Sequence, residues 1–146
     1  MERLRASDPT SVGGFELVGR LGAGGLGVVF LATRGGQSAA LKVMRDSLVE
    51  DPAARERFRR ESALLGGIDS PFVARIIDSG AEGDVAWFAT EFVNGPDLKS
   101  RVQQQGTLLE DQWLDFAVKL RAGLGAIHGQ GIIHRDIKPA NIVMSE

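Results

Sequence analysis

Residues 21–34 read LGAGGLGVVFLATR, and the residues after the last glycine of that run decide the fold. Gly22, Gly24 and Gly27, with Val29, fit the pattern G-x-G-x-x-G-x-V. Glycine lets a backbone approach phosphate oxygens and aim N–H groups at them, because no Cβ intervenes. Two kinds of phosphate-binding fold use such a loop. A dinucleotide-binding βαβ unit would continue into a helix and carry an acidic residue about 20 positions on. Here VVFLAT continues in β-branched and aromatic residues and the later charged residue is Lys42, so that fold is excluded. The plainer alternative is a glycine-rich hairpin turn with no ligand, since hairpins commonly use glycine.

The flanking segments extend the hairpin into a sheet. FELVGRLG before the loop and SAALKVM after the turn at Gly35 and Gly36 have strand composition, as do FVARIIDSG and VAWFATEFV further on. Between them the period changes. Asp51 is placed to cap a helix, Pro52 suits its first position, and Phe58, Ser62 and Leu65 recur along one side before Gly66 and Gly67. Lys42, inside the apolar strand AALKVM, must neutralise, snorkel or find an anion, because burying a bare ammonium costs several kcal/mol. Glu61 on the following helix is the candidate partner; its bland reading is a solvated glutamate among arginines.

Beyond NGPDL, which breaks the pattern, a short helix near Leu98 to Gln105 is expected. A long one then places Trp113, Phe116, Ala117, Leu120, Leu124 and Ile127 at helical spacing, with Trp113 and Phe116 read as core. Residues 134–141 read HRDIKPAN. Pro139 forces an extended or turn conformation on Lys138, so Asp136, Lys138 and Asn141 project from an irregular loop and can converge on one phosphoryl group. Asp136 could otherwise be a turn or capping aspartate.

Bulk composition removes several function classes. The 146 residues carry 17 Lys plus Arg against 19 Asp plus Glu, which lacks the basic excess of a nucleic-acid binder. There is no cysteine, so disulfide scaffolds, thiolate zinc sites and cysteine nucleophiles are excluded, and the composition suits a reducing cytoplasm. No signal peptide or membrane-spanning run of apolar residues is found. The first dozen residues are polar, contain Pro9 and lack periodicity.

Glycine flap, strand lysine, helix glutamate and HRDIKPAN, in that order, resemble the motif set of the eukaryotic-type protein kinases, most closely the bacterial serine/threonine kinases. The resemblance runs from about Phe15 to the last residue. It implies an α+β, protein-kinase-like fold with a five-stranded antiparallel N-lobe and one helix, followed by the first helices and catalytic loop of a helical C-lobe. The expected organisation is a flexible lead-in at 1–12, an ATP-binding N-lobe at 13–93 and an incomplete C-lobe at 94–146.

The resemblance also implies roles. Asp136 would accept or orient the proton of the substrate hydroxyl, Lys138 would steady the transferring phosphate, and Asn141 would hold a magnesium ion. The flap residues Leu21, Gly22, Ala23, Gly24, Gly25 and Gly27 would cover the phosphates of ATP, and Lys42, braced by Glu61, would grip them. Thr90 falls at the gatekeeper position, backbone groups of Glu91 and Val93 would meet the adenine edge, and Asp97 the ribose. Val29 and Ala40 would roof the adenine and Val143 would floor it. His134 is expected to serve packing. Leu26, where an aromatic often stands, is a departure bearing on shielding of the phosphates.

Implied partners are ATP, magnesium and a protein with a serine or threonine hydroxyl, with no nucleic acid and no membrane segment. The sequence ends before the family's D-F-G segment, so this chain alone is expected to show little or no transfer, and the apolar face of the helix around Trp113 is expected to be exposed and to seek a partner. A non-catalytic nucleotide-binding or interaction module on the same fold is the alternative.

Overall fold

The computed structural model describes every residue except 25–26, 45–50, 54, 57, 59–61, 63–65, 83–84, 135–136 and 146. The chain divides into two compact units, Met1–Gly66 with Arg75–Phe92, and Gly67–Ala74 with Val93–Glu146. Gly67–Ala74 thus belongs with the helical unit, although the segment lies within the expected N-lobe range.

The first unit is built on one antiparallel sheet: β1 (Ser11–Val12), β2 (Phe15–Gly24), β3 (Gly27–Arg34), β4 (Gln37–Met44), β5 (Ile76–Glu82) and β6 (Val85–Glu91), in the order β1-β2-β3-β4-β6-β5. The five expected strands are there, and the sixth is the two-residue β1. Alternation along the strands sorts the residues to two faces. On one face Phe15 and Leu17, Phe30 and Ala32, Ala39 and Leu41, and Trp87 and Ala89 form a buried cluster with Val12. On the other, Met44, Ala86 and Phe88 pack with Phe58, whose ring centroid lies 5.2 Å from that of Phe88. Central strand β6 is therefore buried on both sides, which explains its run of consecutive apolar residues.

Phe58 comes from a stretch with helical backbone at Pro52, Ala53, Arg55, Glu56, Phe58 and Ser62. Asp51 caps it as expected, accepting from the Ala53 N–H at 2.9 Å. The indole of Trp87 fills the space above Gly80, its partner across β5 and β6, and a Cβ at Gly80 would come within 2.9 Å of it. Gly13 meets the same indole; a Cβ there would collide with it, and φ is +58°.

Residues 1–12, expected from the sequence as a flexible lead-in, make defined contacts with the sheet. Glu2 and Arg20 exchange backbone hydrogen bonds of 2.9 Å in each direction, Asp8 pairs with the Arg20 guanidinium, and Val12 is buried. The contacts that hold this segment reach forward to β2, whose edge offers unpaired backbone groups. A local pattern of polar residues and a proline carries no trace of them.

In the second unit α1 (Leu98–Gln105) and α2 (Glu110–Gly129) are followed by a single 3-10 turn at Pro139–Asn141. Gln112 ties the start of α2 by accepting from the Leu109 N–H at 3.2 Å. Its buried stripe is Phe116, Gly123 and Ile127, and Gly123 lets the Phe72 backbone lie against the helix, where a Cβ would sit 3.1 Å from the Phe72 carbonyl oxygen. Trp113, read from its spacing as a core residue, is 54% exposed instead. It lies at the margin of the stripe, resting on Phe116 with ring centroids 5.4 Å apart, and its neighbours Leu114 and Val118 are exposed as well. Among the described residues no helix is long and apolar enough to cross a membrane.

Candidate functional site

The first unit gathers one set of the sequence-predicted residues. Val29, Lys42 and Phe88 stand opposite one another across β3, β4 and β6, and Leu31, Ala40 and Thr90 form the next row on the same face. Four candidate residues, Val29, Ala40, Lys42 and Thr90, therefore share the face that turns away from the Phe30 and Leu41 core. All four are partly exposed. The Lys42 ammonium lies 5.6 Å from the centroid of the Phe88 ring, near enough for a favourable cation–π contact. The Thr90 hydroxyl donates to the Ala40 carbonyl at the long distance of 3.5 Å. At the end of β6 the Glu91 N–H donates to the Arg75 carbonyl at 2.9 Å.

The flap is the β2–β3 hairpin itself. Gly22 faces Val29, Ala23 faces Val28 and Gly24 faces Gly27. A bulge lies between Arg20 and Gly22, which leaves Leu21 out of register and 38% exposed. The three described flap glycines, Gly22, Gly24 and Gly27, differ in what requires them. A Cβ at Gly27 would collide with the Val43 carbonyl, so packing alone demands glycine there. At Gly22 and Gly24 a Cβ would meet no described atom within 4 Å, and neither has a positive φ. Neither packing among the described residues nor backbone strain accounts for those two.

The second unit gathers another set. Asp97 and Val143 form an antiparallel bridge, supported by Leu98 N–H to Ile142 carbonyl at 2.8 Å and Met144 N–H to Pro96 carbonyl at 2.9 Å. This pairing sets the segment after the HRDIKPAN loop against the start of α1. Sequence reasoning passed over the residue that permits it. Gly95, with φ of +152°, faces the Met144 carbonyl so closely that a Cβ would collide with it. The only signal was its place in the break NGPDL.

Asp97 is also the N-cap of α1, accepting from the Ser100 N–H at 2.9 Å and the Ser100 hydroxyl at 2.6 Å. These bonds, the hydroxyl's foremost, hold its carboxyl below the usual aspartate range. Lys138 is extended at φ −152° and ψ 156°, as the following proline requires, and the Asn141 N–H donates to its carbonyl at 2.9 Å. Asn141 and His134 are exposed, the latter against the expectation that it packs.

Gly25, Leu26, Glu61 and Asp136 lie outside the described residues, so the expected Lys42–Glu61 pair and the position of Asp136 are not part of this geometry. For metal binding, Asn141 supplies one neutral amide oxygen, and among the described residues no group of three or more His, Cys, Asp or Glu could hold a metal. One hard oxygen donor suits a magnesium ion that takes its other ligands from phosphates and water, as nucleotide-borne magnesium does.

A family profile described as "Protein kinase domain" matches residues 15–146. Serine/threonine-protein kinase AfsK of Streptomyces griseus is 38% identical over 147 aligned positions that take in 100% of this chain and 18% of AfsK. The chain spans no more than about a fifth of the length of the curated relatives it matches first. Among solved structures, the PknI kinase domain of Mycobacterium tuberculosis superposes with a TM-score of 0.81 at 27% identity, over 95% of this chain and 58% of that one. Rad53 in complex with AMP-PNP does so with a TM-score of 0.80 at 25% identity, over 91% of this chain and 35% of that one. With the flap hairpin, the strand lysine and the HRDIKPAN loop on this fold, the chain belongs to the eukaryotic-type protein kinase family, alongside bacterial serine/threonine protein kinases.

Proposed function

We propose that this chain binds ATP with magnesium and serves transfer of the γ-phosphoryl group to a serine or threonine hydroxyl of a protein substrate in the cytoplasm. The observation that carries the proposal is the contrast among the flap glycines. Gly27 is explained by packing, whereas Gly22 and Gly24, among the described residues, face space that a phosphate chain would fill. Rad53, of similar fold, was solved with the ATP analogue AMP-PNP, which supports the same ligand class here.

In this reading Leu21 to Gly27 cover the triphosphate and Lys42, braced by Glu61, grips it. Val29, Ala40 and Val143 enclose the adenine, and Thr90 stands at its back. The Glu91 N–H is engaged by Arg75, so a contact of Glu91 with the adenine falls to its carbonyl, with the Val93 backbone supplying the other. Asp97, already a helix cap, would add a ribose contact through the remaining capacity of its carboxylate. Asp136 would orient the attacking hydroxyl and take its proton. Lys138 would neutralise charge on the transferring group. Asn141 would hold magnesium, which when bound offsets phosphate charge.

A second reading is a non-catalytic nucleotide-binding or interaction module on the same fold. Titration calorimetry with ATP and magnesium tests the first step. Lys42→Met is expected to weaken binding about tenfold, the effect of losing one charge-assisted contact. Equal affinity in the variant and the unmodified chain would end the proposal. Incubation with radiolabelled ATP and a generic basic protein separates transfer from binding alone.

A further inference from the structure

The segment Met1–Asp8 is fastened to β2 at one point, and that point is the root of the flap. Glu2 and Arg20 exchange both backbone hydrogen bonds at 2.9 Å. Where this strap crosses Gly19, a Cβ would come within 2.9 Å of the Glu2 carbonyl oxygen, so the close approach depends on that glycine. Arg20 Nε donates to Asp8 Oδ2 at 2.7 Å and Arg20 Nη2 to Asp8 Oδ1 at 2.6 Å, a bidentate pair. The two side chains are only 11% and 5% exposed.

Both partners are themselves fixed. Asp8 is set by a turn in which the Arg5 N–H donates to its Oδ2 at 2.8 Å and its own N–H donates to the Arg5 carbonyl at 3.0 Å. The Arg20 guanidinium lies over the buried Phe30 ring at 5.8 Å. Arg20 is the last residue of β2 in register before the bulge; past it Leu21 to Gly24 are exposed. Beyond the bulge the β2 arm of the flap is held by its pairing with β3, and Gly22 and Gly24 have no described atom against them, so its position also depends on how firmly Arg20, at its root, is held.

We propose that the Met1–Asp8 strap is a clamp on the root of the nucleotide flap, with Asp8 and Arg20 as positioning residues for nucleotide binding. This rests on the nucleotide reading given above. Releasing the clamp lets the end of β2 and the flap sample more conformations, so a bound nucleotide must order them at a cost in affinity.

Two variants release the strap by different means. Asp8→Asn removes the ion pair, and Gly19→Val drives the Glu2 backbone away. Asp115→Asn, which breaks the exposed Lys119–Asp115 pair on α2, is the control. Each is measured at a temperature where all are folded, by the Kd for a ribose-labelled fluorescent ATP analogue with magnesium and by amide exchange at Gly22, Ala23 and Gly24. Asp8→Asn and Gly19→Val are each expected to raise Kd about five- to tenfold and to speed flap exchange, while the control does neither. The double variant is expected to add little to either single one, because both release the same strap from Arg20. Asp8→Glu is expected to recover part of the affinity.

A purely structural role would lower Tm and leave Kd unchanged, so Kd values within twofold of the unmodified chain in both variants overturn the clamp. If the unmodified chain binds no nucleotide, the nucleotide reading fails, and the exchange data still decide: unchanged protection of Gly22 to Gly24 in Asp8→Asn overturns the clamp, and faster exchange upholds it.

Discussion

The sheet of the first unit and helix α2 of the second bury apolar side chains to very different extents. On the sheet Phe15, Phe30 and Leu41 are almost wholly enclosed, and β6 is covered on both faces. On α2 the residues Trp113, Leu114 and Val118 are 54%, 60% and 68% exposed, although the helix runs for 20 residues. The sheet is a core completed by its own unit. The helix has one face settled, through Phe116, Gly123 and Ile127, and another exposed.

Truncating one aromatic in each place puts this contrast to its hardest test. Phe30→Ala removes a ring that is 2% exposed and leaves a cavity among Leu17, Ala32 and Leu41, so a loss of about 3–5 kcal/mol is expected. Trp113→Ala removes mostly solvated surface and is expected to cost no more than about 1 kcal/mol while reducing self-association. Denaturant unfolding with far-UV circular dichroism reads both, and light scattering reads the second. Comparable losses in the two variants would mean that α2 is as fully packed as the sheet.

A smaller effect separates the helices within the second unit. Asp97→Ala removes the cap of α1 and exposes two orphan donors, the Ser100 N–H and hydroxyl, at an expected cost of about 1 kcal/mol. Ser100→Ala, which leaves the backbone cap in place, is expected to cost less. Because Asp97 also bridges Val143, amide exchange at Leu98 and Met144 is expected to quicken in Asp97→Ala alone. Identical exchange in the two variants would show that the cap and the bridge are independent.

The sequence made much of the sheet legible and less of what holds its margins. Strands β2 to β6 were readable because their alternation is a local property, and the extended Lys138 followed from Pro139 alone. Gly22 and Gly24 stood out as glycines in a motif, and the structure adds that no described residue packs against them. What stayed hidden was long-range. Arg20 looked like an ordinary polar residue of a strand, and its role depends on Asp8, twelve positions back across a turn. At Gly13 and Gly80 the reason for glycine is the indole of Trp87, a contact that no local pattern around them carries. Trp113 misled because helical spacing identifies a stripe without saying how wide a neighbour covers it.

Among the described residues two carboxylates, Asp8 and Asp97, are depressed, and they differ in what holds them down. Asp8 is held down to about 2, first by its hydrogen bonds from Arg20, and Asp97 is held below the usual range first by the Ser100 hydroxyl. In both cases the unfolded chain binds its proton more readily than the folded one, so each contributes stability that is complete above the ordinary aspartate value of 3.8 and fades as pH falls toward the folded value. For Asp8 the window runs from about 4 down to about 2. Replacing Asp8 by Asn removes the titrating group, so the gap in unfolding midpoint between the unmodified chain and Asp8→Asn is expected to stay constant from neutral pH to about 5 and to close through that window. A gap that is the same at low pH as at neutral pH would show that Asp8 acts as a shape in the strap rather than as a charge on Arg20.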